Sequence, residues 1–181
     1  EDVELVDNNV GFSMDNVSEI KISAVLCVSN TSHGYTMTNC GFGDIESLSS
    51  PSNGGSGAVL NNCRTLPFEF CAADSNTVDG FNLTDCTDIY LAVSAGSNGG
   101  QGIELVSGND NIIMSICLVE SNTSDGIKLT ATSDVCKINN CNINSNGGYG
   151  INVAAATCDN NMLYKNSFAS NTSGAIQDLG T

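Results

Sequence analysis

The stretch Ser121-Asn122-Thr123-Ser124-Asp125-Gly126-Ile127-Lys128-Leu129 is followed 24 residues later by Ser145-Asn146-Gly147-Gly148-Tyr149-Gly150-Ile151-Asn152-Val153. Each reads as a small polar residue, an Asn, a Gly four residues on, and then apolar residues at alternate positions. Working outward in both directions, the phrase recurs along the whole chain. Its asparagines are Asn8, Asn30, Asn53, Asn76, Asn98, Asn122, Asn146 and Asn171, and its glycines are Gly11, Gly34, Gly57, Gly80, Gly102, Gly126, Gly150 and Gly174. The glycine steps are 23, 23, 23, 22, 24, 24 and 24 residues. A period this steady, with no helical apolar spacing inside it, predicts one turn of a solenoid per repeat.

Aligning the repeats on their glycines shows which side chains stack, because parallel in-register strands lie about 4.8 Å apart. One residue after each Gly stand Phe12, Tyr35, Ala58, Phe81, Ile103, Ile127, Ile151 and Ala175, and three after stand Met14, Met37, Leu60, Leu83, Leu105, Leu129 and Val153. This period of two is a short strand with one buried face. The residues between, among them Ser13, Thr36, Asn82, Glu104, Lys128 and Asn152, are expected to face solvent. A second inward strand precedes each Asn, with Val25, Cys71, Val93, Cys117 and Cys141 five residues before it. A third apolar stretch lies between, as in Leu66 with Phe68 and Ile89 with Leu91. Three short strands per coil predict an all-β, single-stranded right-handed parallel β-helix of seven to eight coils, since parallel crossovers are almost always right-handed. Seven coils make a stack about 34 Å long.

The Asn column has a physical reason. Asn tolerates the left-handed backbone of a tight turn, and its amide bonds to backbone in its own and neighbouring coils. Stacked once per coil, the amides form a ladder that opposes register slip. The glycines mark positions where a Cβ is costly. On these motifs the chain resembles parallel β-helix repeats of the pectate-lyase-like superfamily, over its whole length. The resemblance implies the fold and leaves function open among lyases, hydrolases, epimerases, tailspikes, adhesins and proteins without catalysis.

With no break in composition, residues 1–181 form one domain. Twenty acidic residues against five basic ones give a net charge of −15. Nucleic acid and anionic lipid are therefore poor partners, so no nucleic-acid partner is expected, and an acidic polysaccharide is repelled unless divalent cations intervene. No stretch is long and apolar enough to insert in a membrane. Few basic residues with abundant Asn, Ser, Thr and Gly point to an extracellular or cell-surface protein. Nine cysteines suggest disulfides in a secreted chain. However, Cys40, Cys63 and Cys86 form one column, while Cys27, Cys71, Cys117 and Cys141 replace apolar residues in inward columns. They are expected to be buried free thiols, with a Cys117–Cys141 disulfide as the alternative.

In enzymes of the resembled superfamily the substrate groove runs over the outward residues of one strand stack. Here these are mostly Thr, Ser and Asn, with Glu104 and Lys128 as an expected surface ion pair. The Gly-His-Gly of polygalacturonases and the Asp-Pro-His of alginate epimerases do not occur, and His33, the single histidine, sits in an Asn turn. No catalytic residue is assigned. The one acidic candidate is a column eight residues after the glycines, Asp88, Asp110 and Asp134, whose stacked charges would repel unless calcium lay between them. Turn bonding in free solvent is the plainer alternative. Of five glycosylation sequons, Asn82, on an outward strand position, is the best acceptor.

No helix or cap is evident at either end of the stack, and raw strand edges invite pairing. The expectation is an extracellular structural protein without catalysis, whose copies stack head to tail into a filament or surface fibre. The alternative is a carbohydrate-active enzyme, lyase- or hydrolase-like, or a carbohydrate-binding adhesin or tailspike fragment, with polysaccharide as its partner.

Overall fold

The computed structural model describes residues 3–180, and these contain no helix. Two parallel sheets wind round one apolar core. The eight-stranded sheet runs from Phe12–Asp15 through Tyr35–Thr38, Ala58–Asn61, Phe81–Thr84, Ile103–Ser107, Ile127–Leu129 and Tyr149–Val153 to Gly174–Asp178. The eleven-stranded sheet begins at Val3–Val6 and continues through the long strands Ser18–Val28, Gly41–Ser49, Arg64–Ala72 and Thr87–Gly96. Beyond these each turn of the sheet is split in two, as in Ile113–Ser115 with Leu118–Glu120 and Lys137–Asn139 with Asn142–Asn144.

Three separate strands per coil are therefore found only in the later coils. In the earlier ones the second and third apolar stretches are one strand with a bend. The bend is a single residue in the left-handed region: Ala24 (φ 54), Ser47 (φ 52), Phe70 (φ 54), Ile116 (φ 61), Asn140 (φ 52) or Lys165 (φ 56). One left-handed residue turns the chain without a loop, so strand pairing runs almost continuously past it. Between Arg64–Ala72 and Thr87–Gly96 the register skips Phe70, because Glu69 pairs with Ala92 and Cys71 with Val93. The 22-residue coil has simply lost its bend residue.

The Asn ladder is complete from Asn8 to Asn171. The backbone N–H of each Asn donates to Oδ1 of the Asn in the next coil, at 2.9–3.1 Å. From Asn30 to Asn146 the side-chain amide donates to the same oxygen. Its other hydrogen reaches back to a carbonyl of the preceding coil, for example Asn98 Nδ2 to Ala73 O at 3.0 Å and Asn122 Nδ2 to Ala95 O at 2.9 Å. Asn109, Asn161 and Asn166 do the same work singly at other corners, accepting from the backbone N–H of Cys86, Cys136 and Cys141. The glycine column is set by close approach. A Cβ on Gly126 would stand 2.7 Å from Gly150 O, 2.7 Å from Ile143 Cγ2 and 2.8 Å from Asn146 Nδ2.

The last coil departs from the sequence alignment. Asn146 to Asn171 spans 25 residues, so Ile151 pairs with Ile176 and Tyr149 with Gly174. Gly174 is thus not in the glycine column, and the space beneath Gly150 is taken by Ala175 O. Ala175 is correspondingly exposed and not in an inward column.

All nine cysteines are buried free thiols, including Cys117 and Cys141. In the Cys40–Cys63–Cys86 column, Cys86 donates toward Cys63, which lowers the Cys63 pKa and, with burial, raises that of Cys86. Burial alone pushes the Cys27 thiol up to about 11. Tyr35, stacked on Phe12 with ring centroids 5.3 Å apart, has its hydroxyl buried without a partner, and burial holds its pKa well above the usual value.

Candidate functional site

Because side chains alternate along a strand, the outward face of the eight-stranded sheet carries one unbroken row across all eight coils. The strand register places Ser13, Thr36, Val59, Asn82, Glu104, Lys128, Asn152 and Gln177 directly above one another. The last five are all amides or charged groups. Lys128 Nζ stands 3.2 Å from Glu104 Oε1, the expected ion pair, with the two side chains 26% and 17% exposed. On its other side Glu104 Oε2 accepts from Asn82 Nδ2 at 3.3 Å. The row is held in place while its heads remain within reach of a ligand.

A second line of groups fixes this row. Asp79, only 5% exposed, accepts the Gln101 backbone N–H at 2.8 Å through Oδ1 and Asn82 Nδ2 at 3.0 Å through Oδ2. Asp125 repeats the arrangement two coils further on, accepting the Tyr149 N–H at 2.7 Å and Asn152 Nδ2 at 2.8 Å. Neither carboxylate was singled out in the sequence, although both immediately precede a column glycine, and that recurrence was the available signal. His33 belongs to the same turn line, where its Nδ1 accepts the Ser56 N–H at 3.1 Å. Asn82, the proposed glycosylation acceptor, faces outward, and its amide is engaged by Asp79 and Glu104.

The acidic column needs correction. Asp110 pairs with Asp134 on one side, but with Thr87, not Asp88, on the other. Asp88 lies one position round, where its Oδ1 accepts from Asn111 Nδ2 at 2.6 Å. Asp134 Oδ1 in turn accepts the Asp159 backbone N–H at 2.8 Å. The offset arises at Val106, an extra residue between Leu105 and Ser107 that shifts the register against Phe81–Thr84. Counting from the glycine therefore places Asp110 one position out. Asp88, Asp110 and Asp134 do not converge, and among the described residues no three His, Cys, Asp or Glu side chains are arranged to hold a metal.

Chemically, the outward row is a continuous line of hydrogen-bonding and charged groups. Glu104 offers charged acceptor oxygens, Lys128 offers donors beyond the one turned to Glu104, and Asn152 and Gln177 extend the polar line. Asp79 and Asp125 spend both oxygens on holding the scaffold.

Solved structures similar to this chain include the periplasmic alginate epimerase AlgG, with a TM-score of 0.79 at 16% identity over 90% of this chain and 43% of that one. The A-module of the Azotobacter vinelandii mannuronan C-5 epimerase AlgE4 matches with a TM-score of 0.70 at 17% identity, over 95% of this chain and 54% of that one. The Agl-KA catalytic domain matches at 0.63 and 12% identity, over 96% and 44%. At these identities the likeness is one of fold, and the chain spans about half the length of these structures or less. No curated protein sequence matches the chain. A sequence profile described as "Right handed beta helix region" matches residues 23–181. With most of its length matched and both sheets in parallel register, the chain belongs to the right-handed β-helix family.

Proposed function

We propose that this chain is a carbohydrate-binding or carbohydrate-active β-helix, with a polysaccharide lying along the solenoid axis over Asn82, Glu104, Lys128, Asn152 and Gln177. The observation that carries this reading is the unbroken register of these five side chains on successive coils. A polymer of hydroxylated rings presents donors and acceptors at a repeating spacing, and a ladder of amides and paired charges answers it. The fold shared with two alginate epimerases supports the class of ligand. It also supports an extracellular or cell-surface location, where such polymers lie. The test is affinity electrophoresis through gels containing neutral, amino or uronic polysaccharides. At least one polymer should retard the protein, and a Glu104→Ala/Lys128→Ala variant should lose about tenfold in affinity, about 1.4 kcal/mol. Equal retardation of the variant, or none of the wild type by any polymer, would remove the reading.

End-to-end association of copies is a second reading, favoured by the apolar first coil. Val3, Leu5, Phe12, Met14, Ile22 and Val25 line an open concavity of about 320 Å³ there. Against it, Asp178 pairs with Val153 in an inward register position of the last coil, and an inward charge at an edge opposes stacking. Sedimentation over a concentration series decides the matter. Growth of the wild type into filaments would support stacking, and a monomer at all concentrations would remove it.

A further inference from the structure

The coil that lost its bend residue leaves a slot, a gap in the line of bend side chains on the eleven-stranded sheet, whereas the polar row lies on the eight-stranded one. Phe70 and Ile116 are the bend residues of the coils on either side, and they are the most exposed large apolar side chains described, at 79% and 73%. Between them the strand Thr87–Gly96, whose left-handed residue Asp88 lies near its start, has no residue and hence no side chain at the bend position between Ala92 and Val93. Two strand spacings separate the coils of Phe70 and Ile116, about 9.6 Å, which leaves room for one ring between them. The floor beneath is small, formed by Ala92 and Ser94, which pair with Glu69 and Ala72 on one side. Neither conformation nor burial accounts for Ile116. It is β-branched at φ 61, where such residues are genuine outliers, and its side chain is left in water. An outlier of this kind is a reason to look for function.

We propose that this slot is a binding subsite for a single pyranose ring, sandwiched between Phe70 and Ile116, and that it prefers a cationic amino sugar. A pyranose presents apolar C–H faces to the two side chains and polar groups round its edge. The edge groups here meet acids: Glu69 precedes Phe70, and Glu120 pairs with Gly96 at the end of the same strand. The chain as a whole carries a net charge of −15. An ammonium group is favoured by those carboxylates and by the face of Phe70, and a uronate is repelled. The subsite stands apart from the row of Asn82, Glu104 and Lys128, so each can fail without the other.

Isothermal titration of the full chain with hexamers of glucosamine, glucose and galacturonate tests it. The glucosamine hexamer should bind, and Phe70→Ala and Ile116→Ala should each weaken it about tenfold or more, while Phe42→Ala, which removes an exposed ring at another corner, leaves this binding unchanged. Inserting one Asn between Ala92 and Val93 restores a bend residue with its side chain, as at Asn140, and should close the slot and abolish the binding. Melting temperatures of the variants confirm folding, since both side chains are exposed. Failure of the wild type to bind the glucosamine hexamer at millimolar concentration would overturn the proposal. So would binding indifferent to Phe70→Ala, or equal binding of the galacturonate or glucose hexamer.

Discussion

The Asn corner and the bend corner do the same job for the backbone by different means. At the Asn corner the turn is closed by a side chain that makes up to four bonds inside the wall, and every coil carries Asn. At the bend corner a single left-handed residue turns the chain while its side chain points outward. The occupants are Ala24, Ser47, Phe70, Ile116, Asn140 and Lys165, and one coil has none. Residue identity is constrained where the side chain completes buried hydrogen bonds, and it is released where only φ matters. The second corner is therefore where a repeat protein can vary its surface without losing its register.

Replacing Asn98 with Ala should expose this difference most strongly. Its Oδ1 accepts from Asn76 N at 2.9 Å and Asn76 Nδ2 at 3.1 Å, and its Nδ2 donates to Ala73 O at 3.0 Å and Asn122 Oδ1 at 2.9 Å. Truncation leaves several buried groups unpaired, at a cost of about 3–5 kcal/mol in urea unfolding if two or more stay unsatisfied. Asn140→Ala at the bend corner should cost about 1 kcal/mol, the preference of Asn over Ala at a left-handed φ. Equal losses at the two sites would show that the ladder carries no special share.

Seen from inside, the corners should be alike. Cys27 lies three residues before Asn30, Cys71 directly follows Phe70, and burial pushes both thiols up to about 11. A thiol with a raised folded pKa holds its proton after the unfolded chain has released one. Its contribution is thus intact below the ordinary value of 9.0 and is lost as pH rises from there toward 11. At pH 10 each thiol should account for up to about 1.4 kcal/mol of lost stability. Melting temperatures between pH 8 and 10.5 should fall, and Cys27→Ala and Cys71→Ala should each remove a similar part of the fall. Removal by only one of them would mean that the corners seal the core unequally.

The glycine beside the Asn corner gives an effect of the same kind as Asn98→Ala but smaller. Gly126→Ala drives a Cβ to 2.7 Å from Gly150 O and 2.8 Å from Asn146 Nδ2, contacts that only a shift of the wall relieves. The expected loss is about 1–3 kcal/mol, with a lower urea midpoint. An unchanged midpoint would show that the coils can separate locally, and would weaken the account of the glycine column.

How far the sequence could be read follows the same division. The ladder, the inward columns and the Glu104–Lys128 pair were all legible, because each repeats a residue type that one backbone position demands. Gly174 was misplaced because the last coil adds its extra residue before Asn171 and carries Ala175 at the glycine position, so the glycine one residue earlier was counted in its stead. Asp110 was misplaced because Val106 bulges out of a strand whose inward residues still look regular. The bend corner was invisible, since Ala, Ser, Phe, Ile, Asn and Lys share no chemistry beyond the φ they adopt. Asp79 and Asp125 were visible as letters, but their role depends on bonds to the next coil that no spacing announces.

The subtlest test concerns Ile116 itself. Its left-handed φ of 61 crowds a β-branched side chain against the backbone, and 73% exposure returns little burial in exchange. Asn is at ease in that conformation, as the next bend residue, Asn140, shows at φ 52. Ile116→Asn should therefore stabilise the fold by about 1 kcal/mol, read as a higher urea midpoint with an unchanged slope. A destabilised variant would mean that Ile116 packs against the wall more than its exposure indicates, and that the bend corner is not free of side-chain constraint. A stabilised variant would leave Ile at a position where Asn folds better, and the reason for Ile must then lie in what the exposed side chain touches.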